Sequence, residues 1–121
     1  MMEKKNGLII DKYGNKQWYQ NDKLHRLDGP AWEHANGDKE WWLNGVLHRE
    51  DGPAVEWANG TKEWYSDGKL LFSNQNLPKF IILEEFTDEN NKRKAKVLLE
   101  QGIEIWPNFP ELKQFADDKK V

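Results

Sequence analysis

The chain repeats itself with a period of 23 residues, and this repeat limits the folds open to it more than any other feature. Residues 24–46 read LHRLDGPAWEHANGDKEWWLNGV, and residues 47–69 read LHREDGPAVEWANGTKEWYSDGK. The period extends back to residue 8, so that Trp18, Trp41 and Trp64 hold one repeat position. It ends near residue 72. A period of this size indicates stacked supersecondary units that bury a core only together.

Each copy of the repeat predicts a β-hairpin. Asn36-Gly37 and Asn59-Gly60 separate short runs of alternating residues, and Asn-Gly is the strongest signal for a two-residue turn. Asn44-Gly45 and Asp67-Gly68 supply the return turns. The predicted fold is mainly β, α+β overall. An antiparallel meander of about six short strands occupies residues 1–72, and a small α/β capping segment occupies residues 73–121.

The hairpin turn fixes a predicted strand register. With Asn59-Gly60 as a two-residue turn, Glu56 faces Glu63 and Val55 faces Trp64. Alternation then places most tryptophans on one apolar face, which comprises Ile9, Trp18, Trp32, Trp41, Val55, Trp57 and Trp64.

The opposite face is the predicted binding surface. Glutamates directly opposite each other cost stability, so this face is expected to be wet or to contact a cation or a basic partner. The aromatic side chains beside the glutamates are suited to anchoring a partner. The predicted partner-binding residues are Tyr19, Glu33, Glu40, Trp42, Glu56, Glu63 and Tyr65.

A second candidate surface lies at the turns around Arg26 and Arg49. His25 and His48 precede them at one repeat position, and an Asp follows each His three residues on. Identical positions in successive repeats are typical of residues that close the repeat's own turns. No metal site is therefore predicted. Phosphate loops, nucleophile elbows and metalloprotease motifs do not occur in the sequence, and no catalytic residue or cofactor is predicted.

The segment after the repeats changes character. Residues 79–83 form an apolar run of strand length, and residues 92–101 have a helical composition that ends at Gly102. Residues 103–106 predict a second strand and residues 109–115 a closing helix. This order predicts a β-α-β-α unit. The alternative is a continuous helix over residues 78–87 followed by another helix.

Composition excludes several classes of protein. The chain has no cysteine, which rules out disulfides, iron–sulfur clusters and Cys-type zinc sites. With a net charge of −3, its acidic and basic residues are too evenly matched for a nucleic-acid binder driven by phosphate contacts. No apolar run reaches the ~18 residues of a membrane span. A cytoplasmic location is expected.

The repeat resembles a known family. The string Glu40-Trp41-Trp42-x-Asn44-Gly45-x-Leu47-His48, with the later Gly52-Pro53-Ala54 and Asn59-Gly60, resembles a MORN-type repeat. The resemblance is to the divergent variant of bacterial antitoxin-like proteins and of phage and giant-virus proteins, and it covers residues 8–72. Gly-Pro-Ala departs from the family's second glycine pattern, and only two and a half copies are present. The resemblance implies a curved single-layer sheet of hairpins, with protein or lipid contacts rather than catalysis.

Together, residues and resemblance predict a non-enzymatic module that binds another protein with a basic patch. The resemblance implies a phage or antitoxin-type inhibitor of a bacterial protein, for instance in anti-defence, which would act in the host cytoplasm if viral. The alternative is a nucleic-acid or membrane-surface binding protein, which the acidic balance disfavours.

Overall fold

The computed structural model describes residues 3–116, and it is built mainly from antiparallel β-strands. The mainly β fold class predicted from the sequence is confirmed. The elements are β1 (Gly7–Ile10), β2 (Lys16–Gln20), β3 (Lys23–Leu24), β4 (Trp32–Glu33), β5 (Lys39–Glu40), β6 (Trp42–Leu43), β7 (Val46–Leu47), β8 (Val55–Glu56), β9 (Lys62–Ser66), β10 (Lys69–Ser73), β11 (Phe80–Thr87), β12 (Arg93–Leu99), β13 (Gly102–Pro107) and α1 (Leu112–Phe115).

The chain divides into two compact units. The first contains the residues up to Arg49 together with Pro53–Gln75, and the second contains Glu50–Gly52 together with the residues from Asn76 onwards. No helix within residues 3–116 is both long enough and apolar enough to cross a bilayer.

The first unit is the sheet of repeat hairpins. Its strand order is β1-β2-β4-β5-β8-β9-β10, with β3 paired to β2, and β6 and β7 form a separate two-stranded ribbon. All of these pairs are antiparallel. Only Trp41 separates β5 from β6, so 39–43 corresponds to the five-residue strands β2 and β9 of the neighbouring repeats. The sheet thus has more strands than predicted, but its hairpins recur with the predicted period.

The turns at Asn36-Gly37 and Asn59-Gly60 contain three residues rather than two, whereas the return turns at Asn44-Gly45 and Asp67-Gly68 contain two. The N–H of Trp57 donates to the carbonyl of Thr61 (2.8 Å), and the N–H of Gly60 donates to the carbonyl of Trp57 (2.9 Å). Within this turn Gly60 alone has a positive φ, of 95°. This arrangement is typical of a three-residue hairpin loop that needs one left-handed residue, whereas the predicted type I′ turn needs two.

The extra loop residue makes the predicted register wrong. Glu56 lies opposite Lys62 and not Glu63, and Val55 lies opposite Glu63 and not Trp64. In the preceding hairpin Glu33 likewise faces Lys39 and not Glu40. The facing glutamates on which the predicted binding surface depended are therefore absent from both hairpins.

A one-residue change of register also redistributes the side chains between the faces, because opposed residues in a strand pair project to the same side. The predicted single face of tryptophans is wrong. The pairings define a tryptophan face, comprising Lys16, Trp18, Ala31, Glu33, Lys39, Trp41, Ala54, Glu56, Lys62 and Trp64. They define an opposite aromatic–glutamate face, comprising Ile9, Gln17, Tyr19, Trp32, His34, Glu40, Trp42, Val55, Trp57, Glu63 and Tyr65.

The second unit contains a three-stranded antiparallel sheet in the order β11-β12-β13, followed by α1. The helix predicted over residues 92–101 is wrong, because this segment is mostly strand β12. The side chains of Ala95, Val97 and Leu99 are buried and alternate with more exposed neighbours, which is the period of a strand. Asn91, with φ of 62°, lies in the turn that joins β11 to β12.

The two other helix predictions for this unit also need correction. The alternative helix over residues 78–87 is wrong, because Phe80–Thr87 is the longest strand. The closing helix predicted over residues 109–115 exists only as Leu112–Phe115. The observed order is therefore β-β-β-α. The core of this unit comprises Phe80, Ala95, Val97, Leu99, Trp106, Phe109 and Leu112.

Candidate functional site

The aromatic–glutamate face repeats a pair of polar and aromatic side chains on each long strand. Residues two apart on a strand project to the same face, so each aromatic residue reaches the polar residue that precedes it. The Tyr65 hydroxyl donates to Glu63 Oε1 (3.1 Å), and Trp42 Nε1 donates to Glu40 Oε1 (2.9 Å). In the first copy the Tyr19 hydroxyl is bonded to Gln17 Oε1 in the same way (3.1 Å).

A second aromatic residue contacts each glutamate, and it directly follows the strand that faces the glutamate. Trp57 Nε1 donates to Glu63 Oε2 (3.1 Å), and His34 Nε2 is bonded to Glu40 Oε2 (2.5 Å). His34 and Trp57 hold the same repeat position. Each carboxylate is thus held between two aromatic side chains. The first copy lacks this arrangement, because Asp11 at that position caps its own turn.

The face carries negative charge at partly buried positions. Both oxygens of Glu63 accept hydrogen bonds from neutral donors, and no Lys or Arg among residues 3–116 forms an ion pair with it. Burial raises the pKa of the Tyr65 hydroxyl, and the charges of Glu63 and then Glu40 raise that pKa further. Tyr65 therefore stays protonated and lies in the field of two carboxylates.

The structure splits the seven residues of the predicted binding surface between the two faces. Five lie together on the aromatic–glutamate face: Tyr19, Glu40, Trp42, Glu63 and Tyr65. Glu33 and Glu56 project to the tryptophan face. There they belong to a row of alternating charge across neighbouring strands, which runs Lys16, Glu33, Lys39, Glu56, Lys62.

Sequence reasoning missed Trp32, His34 and Trp57 as members of the site. Trp32 stacks on His34 with ring centroids 4.5 Å apart, and Trp57 is 39% exposed. The sequence feature that indicates that His34 and Trp57 belong to the site is their spacing from Glu40 and Glu63. Residues 34 and 40, like 57 and 63, flank a turn of constant length, and a three-residue loop brings each such pair to one face.

The second candidate surface, around Arg26 and Arg49, is used inside the protein. The guanidinium groups of these residues lie over the rings of Trp18 and Trp41. Each also donates to the carbonyl of a repeat proline, Pro30 or Pro53, at 3.1 and 3.0 Å. Arg49 additionally pairs with Glu56 (3.1 Å) and Arg26 with Asp28 (2.9 Å). These contacts stabilise the repeat.

The repeated histidines act as turn caps. His25 Nδ1 accepts the N–H of Asn44 (2.9 Å), and His48 Nδ1 accepts the N–H of Asp67 (3.0 Å). Each histidine therefore links the start of its repeat to the return turn near the end of the same repeat. Across residues 3–116, no three or more His, Asp or Glu side chains are grouped in a way that could hold a metal ion.

Comparison of the chain with protein-family models, with curated proteins and with solved structures finds no significant match.

Proposed function

We propose that this chain is a non-enzymatic repeat module that binds another protein through its aromatic–glutamate face, and that the partner presents Lys or Arg side chains there. The observation that carries the proposal is the position of Glu63. This carboxylate is held between Trp57 and Tyr65 without a basic partner in the part of the chain that is described.

The chemistry of this surface suits a cation. An aromatic ring attracts a Lys or Arg group through its π face, and the attraction strengthens when the cation loses water. A neighbouring carboxylate adds charge complementarity, which favours rapid and selective association. Trp and Tyr are also the residues most enriched where binding energy concentrates. Glu40 with Trp42, and Glu63 with Tyr65, provide this combination in successive repeats.

The hydrogen bonds favour binding over acid–base catalysis. Glu63 uses both carboxylate oxygens to accept bonds from side chains of its own sheet. A general acid or base needs a proton path to a substrate. The biological setting that we propose is an inhibitor of a bacterial protein, of phage or antitoxin type, acting in the cytoplasm. That setting depends on the MORN-like pattern of the repeat.

The test compares two charge variants of the protein as bait for a bacterial lysate. Glu40→Gln with Glu63→Gln removes two charges from the aromatic–glutamate face and copies Gln17, which fills the same repeat position. Glu33→Gln with Glu56→Gln removes two charges from the tryptophan face and is the matched control. Thermal melts establish that both variants are folded before capture is quantified by mass spectrometry.

We expect proteins captured by the wild type and by the control to be lost from the Glu40→Gln, Glu63→Gln bait. Equal capture by all three baits would contradict the proposal. The same experiment addresses the alternative of nucleic-acid or membrane-surface binding. Capture that disappears after nuclease treatment would favour nucleic-acid binding. Binding of the protein to phospholipid vesicles that falls steeply as the salt concentration rises would favour membrane-surface binding.

A further inference from the structure

Strand β1 departs from the repeat at two positions. Where Leu8 stands, the later copies have Ala31 and Ala54, and where Ile10 stands they have Glu33 and Glu56. Leu8 and Ile10 are 46% and 55% exposed, whereas both alanines are fully buried. The chain therefore places aliphatic residues where they are exposed. Terminal repeats normally turn a polar surface outwards.

Strand β1 is also an open edge of the sheet. Its hydrogen-bonded neighbour within residues 3–116 is β2 alone. The N–H of Asp11 donates to the carbonyl of Asn15 (3.1 Å). The antiparallel pattern then directs Ile9 towards β2, and it directs the N–H and C=O groups of Leu8 and Ile10 away from it.

The later repeats fill the corresponding position. The carbonyl of Ala31 accepts the N–H of Trp18 (2.8 Å), and the carbonyl of Ala54 accepts the N–H of Trp41 (2.7 Å). Leu8 is the equivalent residue in β1, and the preceding long strand that would bond to it does not exist within residues 3–116. Open edges of this kind pair readily with strands of other chains.

The residues of β1 indicate which strand fits this edge. Inside the repeats, Glu33 and Glu56 each have a lysine on the preceding strand, Lys16 and Lys39. Since Ile10 replaces the glutamate, a lysine on the open side of β1 would find no charge partner at this point, and an apolar residue fits there better. A strand with aliphatic residues at alternate positions meets this requirement, and β1 is itself such a strand.

We propose that β1 pairs with β1 of a second copy of this chain, antiparallel and across a two-fold axis at Ile9. Leu8 of each copy then faces Ile10 of the other, and these are the residues whose backbone groups point outwards. Gly7 faces Asp11, so no like charges oppose each other. The two ends of the sheet, β1 and β10, run in the same direction. Head-to-tail association, with β1 of one copy beside β10 of another, would therefore require parallel pairing. The two-fold dimer instead uses antiparallel pairing, as the strands within the sheet do, and it forms a closed assembly.

The pairing would join two sheets into one without turning either over. Both aromatic–glutamate faces would lie on the same side, and a partner with two basic segments would bind both with a gain in avidity. That consequence depends on the proposed function, whereas the dimer does not. Since only a short strand is paired, self-association is expected to be weak, with a Kd in the micromolar range.

Sedimentation equilibrium over a range of concentrations tests the proposal with substitutions that the chain already tolerates. Ile10→Glu copies Glu33 and Glu56, Leu8→Ala copies Ala31 and Ala54, and Ile9→Val copies Val55 as the apolar control. We expect the wild type and Ile9→Val to approach twice the monomer mass, and Ile10→Glu and Leu8→Ala to stay monomeric with unchanged thermal melts. A wild type that stays monomeric at the highest concentration, or an Ile10→Glu variant that dimerises equally well, would overturn the proposal.

Disulfide trapping tests the register. The chain has no cysteine, so a single introduced thiol reports on one position. Ile9→Cys places two thiols at the two-fold axis, in a non-hydrogen-bonded pair where Cβ atoms approach closely enough for a disulfide. Leu27→Cys, at a residue that is 84% exposed, is the control for random collision. Faster cross-linking of Ile9→Cys supports the proposed axis, and equal rates would contradict it.

Discussion

The guanidinium carbon of Arg49 lies 4.0 Å from the centroid of the Trp41 ring. One repeat earlier, Arg26 covers Trp18 at 3.9 Å. One repeat later the position of the arginine is held by Phe72, which stacks on Trp64 with centroids 5.0 Å apart. The tryptophan of each copy is therefore covered by a flat group that follows that copy in the chain, and this group changes from a cation to an aromatic ring where the sheet ends.

Replacing Arg49 should destabilise the protein through this stacking. Arg49→Ala removes the contact with Trp41 and the bonds to Pro53 and Glu56, and we expect a loss of about 1–3 kcal/mol in the free energy of unfolding. Arg49→Phe copies Phe72, keeps a flat group over the ring and should lose less. Urea unfolding measures both. An Arg49→Ala variant within about 0.5 kcal/mol of the wild type would contradict a stabilising role.

Tryptophans on the two faces should differ in their contribution to stability. Trp64 is 3% exposed and stacked on Phe72, whereas Trp57 is 39% exposed. Trp64→Ala should cost about 3–5 kcal/mol, as expected for loss of a core tryptophan, and Trp57→Ala markedly less. Thermal melts followed by circular dichroism compare the two. Equal losses would mean that Trp57 belongs to the core, and the aromatic–glutamate face would lose its exposed anchor.

Asp38 gives a prediction about pH. Its Oδ1 accepts the N–H of Ala58 in the next repeat (2.7 Å), and this bond is the main reason why the pKa of Asp38 is lowered. Because the pKa is lower in the folded state, the bond stabilises the fold above the ordinary pKa of Asp, about 4. That stability is lost as the pH falls through the lower, folded-state pKa.

Asp38→Asn is the matched variant, because Asn15 makes the equivalent bond to Ala35 (2.8 Å) one repeat earlier. The amide keeps an acceptor oxygen and does not titrate. We expect the free energy of unfolding of Asp38→Asn to fall less between pH 6 and pH 3 than that of the wild type. Identical acid sensitivity of the two proteins in urea titrations would argue against a role for this carboxylate.

The repeats could be predicted from the sequence because their signals are redundant. Trp18, Trp41 and Trp64 recur at a fixed period and each lies between turn signals. The register could not be read in the same way. An Asn-Gly pair is compatible with a two-residue turn and with a three-residue loop that ends in glycine, and the choice changes which residue faces Glu56. Hydrogen bonds around Gly60 decide it.

The same limit explains the errors in the site and in the second unit. A two-residue turn predicts Glu33 and Glu56 on the same face as Tyr65, whereas the third loop residue moves both glutamates to the opposite face. In β12 the abundance of Lys, Ala and Leu favours a helix by propensity, whereas burial of Ala95, Val97 and Leu99 at alternate positions requires a strand. Packing against neighbouring strands decides between the two.

We propose that the aromatic–glutamate face, and not the tryptophan face, contacts basic groups of a partner. The most direct test is an NMR titration of the ¹⁵N-labelled protein that follows its tryptophan indole N–H signals. The probe is an unstructured peptide rich in Lys and Arg, and an acidic peptide of equal length is the control. Trp42 and Trp57, whose indoles bond to Glu40 and Glu63, report on one face, and Trp18 and Trp41 report on the other.

We expect the basic peptide to shift the Trp42 and Trp57 signals saturably and to leave the Trp18 and Trp41 signals unchanged. We expect these shifts to be lost in the Glu40→Gln, Glu63→Gln protein. Signals of Trp42 and Trp57 that stay in place at the highest peptide concentration, or shifts confined to Trp18 and Trp41, would contradict it.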